Sequence, residues 1–315
     1  MILLGEEHSC VCMKGVPIMA NPEHVRLFFE DKLWDEWRES YPHIVPDLRA
    51  TDFSGGETST REFQRVNGSG STFHYMDLTL ANFDEACLVG ASLSCAFLAE
   101  SSFVGADLRG VDLFDGMCSC VNMSSANLQG AFLVRTIMND AKLCAADLRK
   151  ATLRKASLER SDLRGANLAG IHASECMMYD VNFAGADLTG ADFRWTSLSR
   201  TNIVEARNGL DLTHLKLRGA YLSETNLRGA LMREMDLRKV DFQQADLRGA
   251  DLRGANLTKA FFDQTMVEDT LFDGALVDWD QVTLSNGLLT SKHKIYSEDW
   301  VKWDNEHDKE EWEEA

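Results

Sequence analysis

The apolar positions of this chain recur every fifth residue. From Ser71 to Ile203 the large ones fall at Phe73, Leu78, Phe83, Leu88, Leu93, Leu98, Phe103, Leu108 and onward through Phe183, Leu188, Phe193 and Leu198. A small residue stands two places before each, as at Ala81, Ala86, Ala91 and Ala96, and Asp or Asn often separates the two, as in Ala106-Asp107-Leu108 and Ala166-Asn167-Leu168. The count pauses after Ile203 and resumes from Leu212 to Val277. A period of five matches neither the 3.6 of a helix nor the 2 of a flat strand. It suits a chain that runs straight briefly, turns and repeats, so that the same position always points inward. If each unit is one side of a square, one coil takes about twenty residues and stacked coils lie about 4.7–4.9 Å apart, like neighbouring strands. Asp and Asn suit the corners because their short side chains accept turn amides. Gly two places after the apolar residue, as at Gly105 and Gly165, eases the next bend.

A-(D/N)-L-x-x is the signature of the pentapeptide-repeat family, and the chain resembles it over about two-thirds of its length. The resemblance implies an all-β fold, a right-handed quadrilateral β-helix with one unit per face. About twenty-seven units before the pause and fourteen after it give close to ten coils, a rod of about 50 Å. Side-chain volumes support the inward assignment: where the central residue shrinks to Ala173, the site two earlier grows to Ile171.

Outside the repeat, residues 1–18 show no pattern and are expected to be disordered, and Met19 competes with Met1 as the translation start. Residues 19–53 are expected to form a short N-terminal helix and lead-in cap. Asn21 is its N-cap and Pro22 its first helical position, and an apolar stripe runs from Val25 through Phe28, Phe29 and Leu33 to Trp37 before Pro42. The Asn-Pro-Glu-His start and the Trp34-to-Arg38 segment resemble a leader of bacterial members of the family, whose role is to cover the open edge of the first coil. Residues 54–72, rich in Gly and Ser, read as a loop. The solenoid is expected over 73–205, with an interruption at 206–211, where nine residues separate Ile203 from Leu212 and a bulge absorbs a deletion. It continues over 212–280. Residues 281–315 read as a C-terminal cap with an acidic tail, and in family members such a cap also makes a homodimer.

Charge narrows the function. The net charge is −18, and within the repeats residues 71–134 hold one base, Arg109, against seven acids, whereas residues 135–164 hold eight bases against four acids. The overall negative charge opposes direct nucleic-acid binding. No apolar run is long enough to cross a membrane. The eight cysteines make no disulfide framework or zinc spacing, so a reducing cytoplasm is the expected compartment, with no metal and no cofactor. No catalytic motif is present, and the recurring aspartates read as turn residues rather than paired carboxylates, so the chain is not expected to be an enzyme. Two functions remain: a scaffold for a protein partner, or, by the family resemblance, a DNA-mimic modulator of DNA gyrase. The candidate interaction surface comprises the stacked late arginines Arg228 with Arg248 and Arg233 with Arg253, and the basic block Arg149, Lys150, Arg154 and Lys155. The late pairs are expected to persist because neighbouring aspartates neutralise them or because an acidic partner docks there.

Overall fold

A computed structural model describes residues 20–29, 31–54, 62–201, 203, 206 and 211–277. In each five-residue unit the apolar residue and the small residue two before it are buried, as at Ala81 and Phe83 or Ala166 and Leu168. The residue between them bridges to its equivalent twenty residues on, so that Asp77, Phe97, Met117 and Ile137 form one parallel column. The next two residues turn. The Ala81 amide donates to the Leu78 carbonyl at 3.0 Å, and the third residue of that turn, Leu80, has φ 61°. A single positive φ at that place is the pattern of a type II turn. Only one residue per face bridges, so among the described residues the β structure consists of isolated parallel bridges rather than named strands, with two N-terminal helices beside them. The expected four-sided coil of twenty residues is present from Asp47↔Asn67 to Asn256↔Leu276.

The interior is a continuous stack of side chains. Phe63, Phe83 and Phe103 lie over one another with centroids 4.3 and 4.8 Å apart. Ile171 and Ala173 are both buried, as their volumes demanded. The same exchange recurs at Val66 and Gly68: a Cβ on Gly68 would meet Leu88 Cδ2 at 2.9 Å, so the large residue sits two places earlier.

Three sequence expectations change. The stretch 62–72 belongs to the solenoid: Glu62 bridges Asn82 and Asn67 bridges Cys87, with Phe63 and Phe73 inward. Gly68 and Ser71 occupy inward places and Ser69 and Gly70 the turn between them, and of the expected 54–72 loop only 55–61 lies outside the described residues. The interruption after Ile203 is an insertion. Asp192 bridges Lys216 and Ser197 bridges Tyr221, a register of twenty-four where every other bridge among the described residues spans twenty. The turn of chain after Ile203 is therefore four residues longer than a regular coil, and Leu212 is the inward residue of the very next face. The expected single helix is two, α1 (Pro22–Phe29) and α2 (Asp31–Ser40). Asn21 caps α1 as expected, its Oδ1 accepting the Glu23 amide at 2.9 Å. The expectations for 1–18 and for the 281–315 cap fall outside the described residues.

The helices cover the first coil in a specific way. Within the tube, each face directs the carbonyls of its bridging residue and of the residue two later toward the coil below, as Phe97 and Ala99 accept from Leu78 and Leu80. On the first coil's last face those carbonyls belong to Glu62 and Gln64. Trp34 Nε1 donates to the Glu62 carbonyl at 3.1 Å, and Arg38 Nη2 to that of Gln64 at 2.7 Å. On its first face, His24 Nδ1 accepts the Asp47 amide at 2.9 Å, and the Asn21 amide donates to the Asp47 carbonyl at 3.1 Å. The leader thus supplies the partners a preceding coil would have supplied, which removes an open edge.

Candidate interaction surface

The Asp and Asn expected at the corners instead lie on the faces, at bridging positions, and are held by the turn that follows. Asp77 Oδ1 accepts the Thr79 amide at 3.0 Å, Asn182 Oδ1 that of Ala184 at 3.1 Å and Asp241 Oδ1 that of Gln243 at 2.9 Å. Where the sequence reads Asp-Leu-Arg, the arginine two residues on also bends back onto the same carboxylate. Arg149 clamps Asp147 through Nε and Nη2 at 2.9 and 2.7 Å, and Arg248 clamps Asp246 at 2.8 and 2.6 Å. Arg109 with Asp107, Arg164 with Asp162, Arg194 with Asp192 and Arg238 with Asp236 repeat the arrangement.

The structure places each candidate basic residue at the surface, and most are already occupied. Arg228 and Arg248 lie on adjacent coils as the register predicts. Asp246 stands between them, 3.9 Å from Arg228 Nη1. Arg233 and Arg253 share Asp251, which accepts Arg233 Nη2 at 2.5 Å and Arg253 Nη2 at 2.7 Å. The hydrogen bond from Arg253, against some burial and with help from Arg233, holds the Asp251 carboxyl far below the usual range. Arg154 and Lys155 converge on Glu175 at 2.9 and 3.4 Å. Lys150, on a corner next to the Arg149 clamp, has no ion pair among the described residues. The block 135–164 is therefore less basic at its surface than its composition: Arg135 pairs with Asp115 at 2.8 Å and Arg160 with Asp140 at 2.8 Å.

One outward feature of the rod is apolar rather than charged. Call face two the side whose inward residues are Leu98, Cys118, Met138, Leu158 and Met178. Its bridging column runs Asp77, Phe97, Met117, Ile137, Ser157, Met177. Phe97, Met117, Ile137 and Met177 are 45, 48, 41 and 49% exposed. The matching column of the opposite face runs Asn67, Cys87, Asp107, Asn127, Asp147. The signal was legible at a spacing of twenty rather than five. Each corner flanking the apolar column carries charges of both signs, paired between neighbouring coils: Asp115 with Arg135 and Lys155 with Glu175 on one side, Asp140 with Arg160 and Asp180 with Arg200 on the other.

The buried cysteines offer no reactive thiolate: burial pushes the Cys118 and Cys176 thiols up to about 12. Among the described residues no cluster of three metal-ligating side chains occurs, and no helix is long and apolar enough to cross a membrane.

Four-sided coils of five-residue units, with Asp or Asn at many of the bridging positions, define a repeat solenoid built on pentapeptides. The chain belongs to the pentapeptide repeats family, which matches it in eight copies over residues 81–115, 118–160, 141–178, 156–194, 176–207, 208–244, 216–254 and 236–274. Comparison with curated proteins gives no match. Among solved structures the chain is similar to HetL, a pentapeptide repeat protein involved in heterocyst differentiation regulation from the cyanobacterium Nostoc sp. strain PCC 7120. Identity is 25%, coverage is 77% of this chain and 96% of that one, and the TM-score is 0.25. It is also similar to full-length QnrB1, a plasmid-mediated fluoroquinolone resistance protein, at 16% identity, 75% and 94% coverage and a TM-score of 0.22. Rfr23 from the cyanobacterium Cyanothece 51142 matches at 19% identity, 42% and 83% coverage and a TM-score of 0.16. Scores this low transfer no property of those proteins to this one.

Proposed function

We propose that this chain is a non-catalytic, right-handed pentapeptide-repeat solenoid that acts as a cytoplasmic protein-interaction scaffold. The observation that carries the reading is the Asp-Leu-Arg clamp. A mimic of duplex DNA must offer a line of free carboxylates to a basic groove, and its attraction must fall steeply with salt. Here Asp107, Asp147, Asp162, Asp192, Asp246 and Asp251 are each closed by an arginine two residues on. A basic groove following the rod would also meet the exposed arginines themselves. The same clamps turn the arginine stacks into architecture rather than a docking site for an acidic partner. A supercoiling assay with DNA gyrase separates the two readings. The scaffold leaves supercoiling and its quinolone sensitivity unchanged at low micromolar protein; stoichiometric inhibition below micromolar protein, lost at high salt, would establish the mimic instead.

A further inference from the structure

The apolar column of face two lies on a flat wall, and its surroundings specify what covers it. We infer that face two is a self-association surface on which a second copy of this chain lies antiparallel, about a two-fold axis between the Met117 and Ile137 coils. In an isologous contact residue i meets j and j meets i. With the axis there, Met117 of one copy faces Ile137 of the other, and the large exposed Phe97 faces the small Ser157, the notch in the same column. An antiparallel copy sets each corner against its own counterpart. Asp115 then faces Arg135 on one side, and on the other Glu100 faces Arg160. Glu100 is exposed and has no ion pair among the described residues, so the second copy supplies its counter-charge.

Competing arrangements meet like charges. Moving the axis to Ile137 sets Arg135 on Arg135 and Asp140 on Asp140. A parallel copy, with each coil facing its own equivalent, sets Lys155 on Arg160 and Glu175 on Asp180. The antiparallel register also lays the acidic stretch 71–134 of each copy along the basic stretch 135–164 of the other, which gives the charge reversal between these neighbouring segments a role. The contact is small. Six coils at about 4.8 Å make a strip about 29 Å long, and three straight residues make it about 10 Å wide. That places it below the roughly 1,200 Å² of total burial typical of stable complexes, so association is weak and concentration-dependent.

Sedimentation equilibrium of the full chain from about 1 to 500 µM, with Met117→Lys and Ile137→Lys as variants, tests the surface. Dimer forms toward the top of this range, and each lysine weakens it at least tenfold while the thermal midpoint stays put, because both side chains point outward. Register is read by mixing Phe97→Cys with Ser157→Cys, each on a Cys95→Ser, Cys120→Ser background, under mild oxidation. The 97–157 cross-link between copies dominates, since 97–97 and 157–157 pairs lie about three coils apart. A chain that stays monomeric throughout, a dimer indifferent to both lysines, or a dominant 97–97 cross-link overturns the inference.

Discussion

Cutting the bonds between α2 and the first coil should open one end of the rod and leave the middle untouched. Trp34 is fully buried, and its indole is the partner of the Glu62 carbonyl at 3.1 Å. Trp34→Phe keeps most of the apolar contact but leaves that carbonyl without a partner, at a cost of about 1–3 kcal/mol. Arg38 donates to the carbonyls of Gln64 and Ile44. Its half-exposed guanidinium makes Arg38→Met worth about 1–2 kcal/mol after allowance for solvent screening. At about 2 kcal/mol the first coil opens about thirty times more often. In a solenoid each coil touches only its neighbours, so the loss decays along the rod. Hydrogen exchange followed by mass spectrometry reads this directly. The amides of Asn67 and Thr72, which donate to the carbonyls of Pro46 and Thr51 in the first coil, should lose protection by about that factor. Those of Leu163 and Asn167, deep in the rod, should keep theirs. Equal deprotection at all four sites, or none at any, would refute the account of the leader as a substitute coil.

Other perturbations follow from the same geometry. Leu163 is fully buried with no polar partner nearby, so Leu163→Asp should cost more than about 4 kcal/mol and remove the cooperative melt, whereas outward Arg164→Ala should leave the thermal midpoint nearly in place. Gly219 has φ +69° and a Cβ there would run into the Trp195 ring, so Gly219→Ala should lower the melting temperature and displace Trp195 from Lys239, 5.2 Å from its centroid. His24 accepts the Asp47 amide and burial holds its pKa below the ordinary value, so the folded chain favours neutral imidazole. Its contribution to stability is complete above the unfolded pKa of about 6.5 and is lost as pH falls from there toward the folded value. Urea melts at about pH 7.5 and 5.5 should therefore differ more for the parent than for His24→Gln; an unchanged difference would remove His24 from the cap.

The interior was legible in the sequence because a five-residue period leaves one place for each side chain, and compensations such as Ile171 with Ala173 confirmed it without coordinates. The 62–72 stretch reads as a loop because Gly68 takes the inward place between Phe63 and Phe73, and Ser71 another, so the apolar count is broken where the tube in fact continues. The insertion after Ile203 was misread as a deletion because counting in fives cannot tell nine as ten minus one from nine as five plus four. Only the inter-coil bridges of Asp192 and Ser197 decide it. The neutralisation of Arg248 and Arg253 could be read from Asp-Leu-Arg, since a two-residue offset across the turn returns the guanidinium to its own carboxylate. The apolar column of face two requires comparing residues twenty apart, and it was missed for that reason alone.

The aspartates of the Asp-Leu-Arg units are engaged by their own arginines and are not on offer to a basic groove. Titrating the aspartate side-chain carboxyls by carbon NMR tests it site by site. Asp162, Asp246 and Asp251 are each held low chiefly by the hydrogen bond from Arg164, Arg248 or Arg253, against partial burial. Their carboxyls should titrate below the unfolded value of about 3.9, and replacing the clamping arginine with Gln should return each toward it. Midpoints at the ordinary value, unchanged by those replacements, would mean that the clamps do not hold in solution and that a line of free carboxylates runs along the rod.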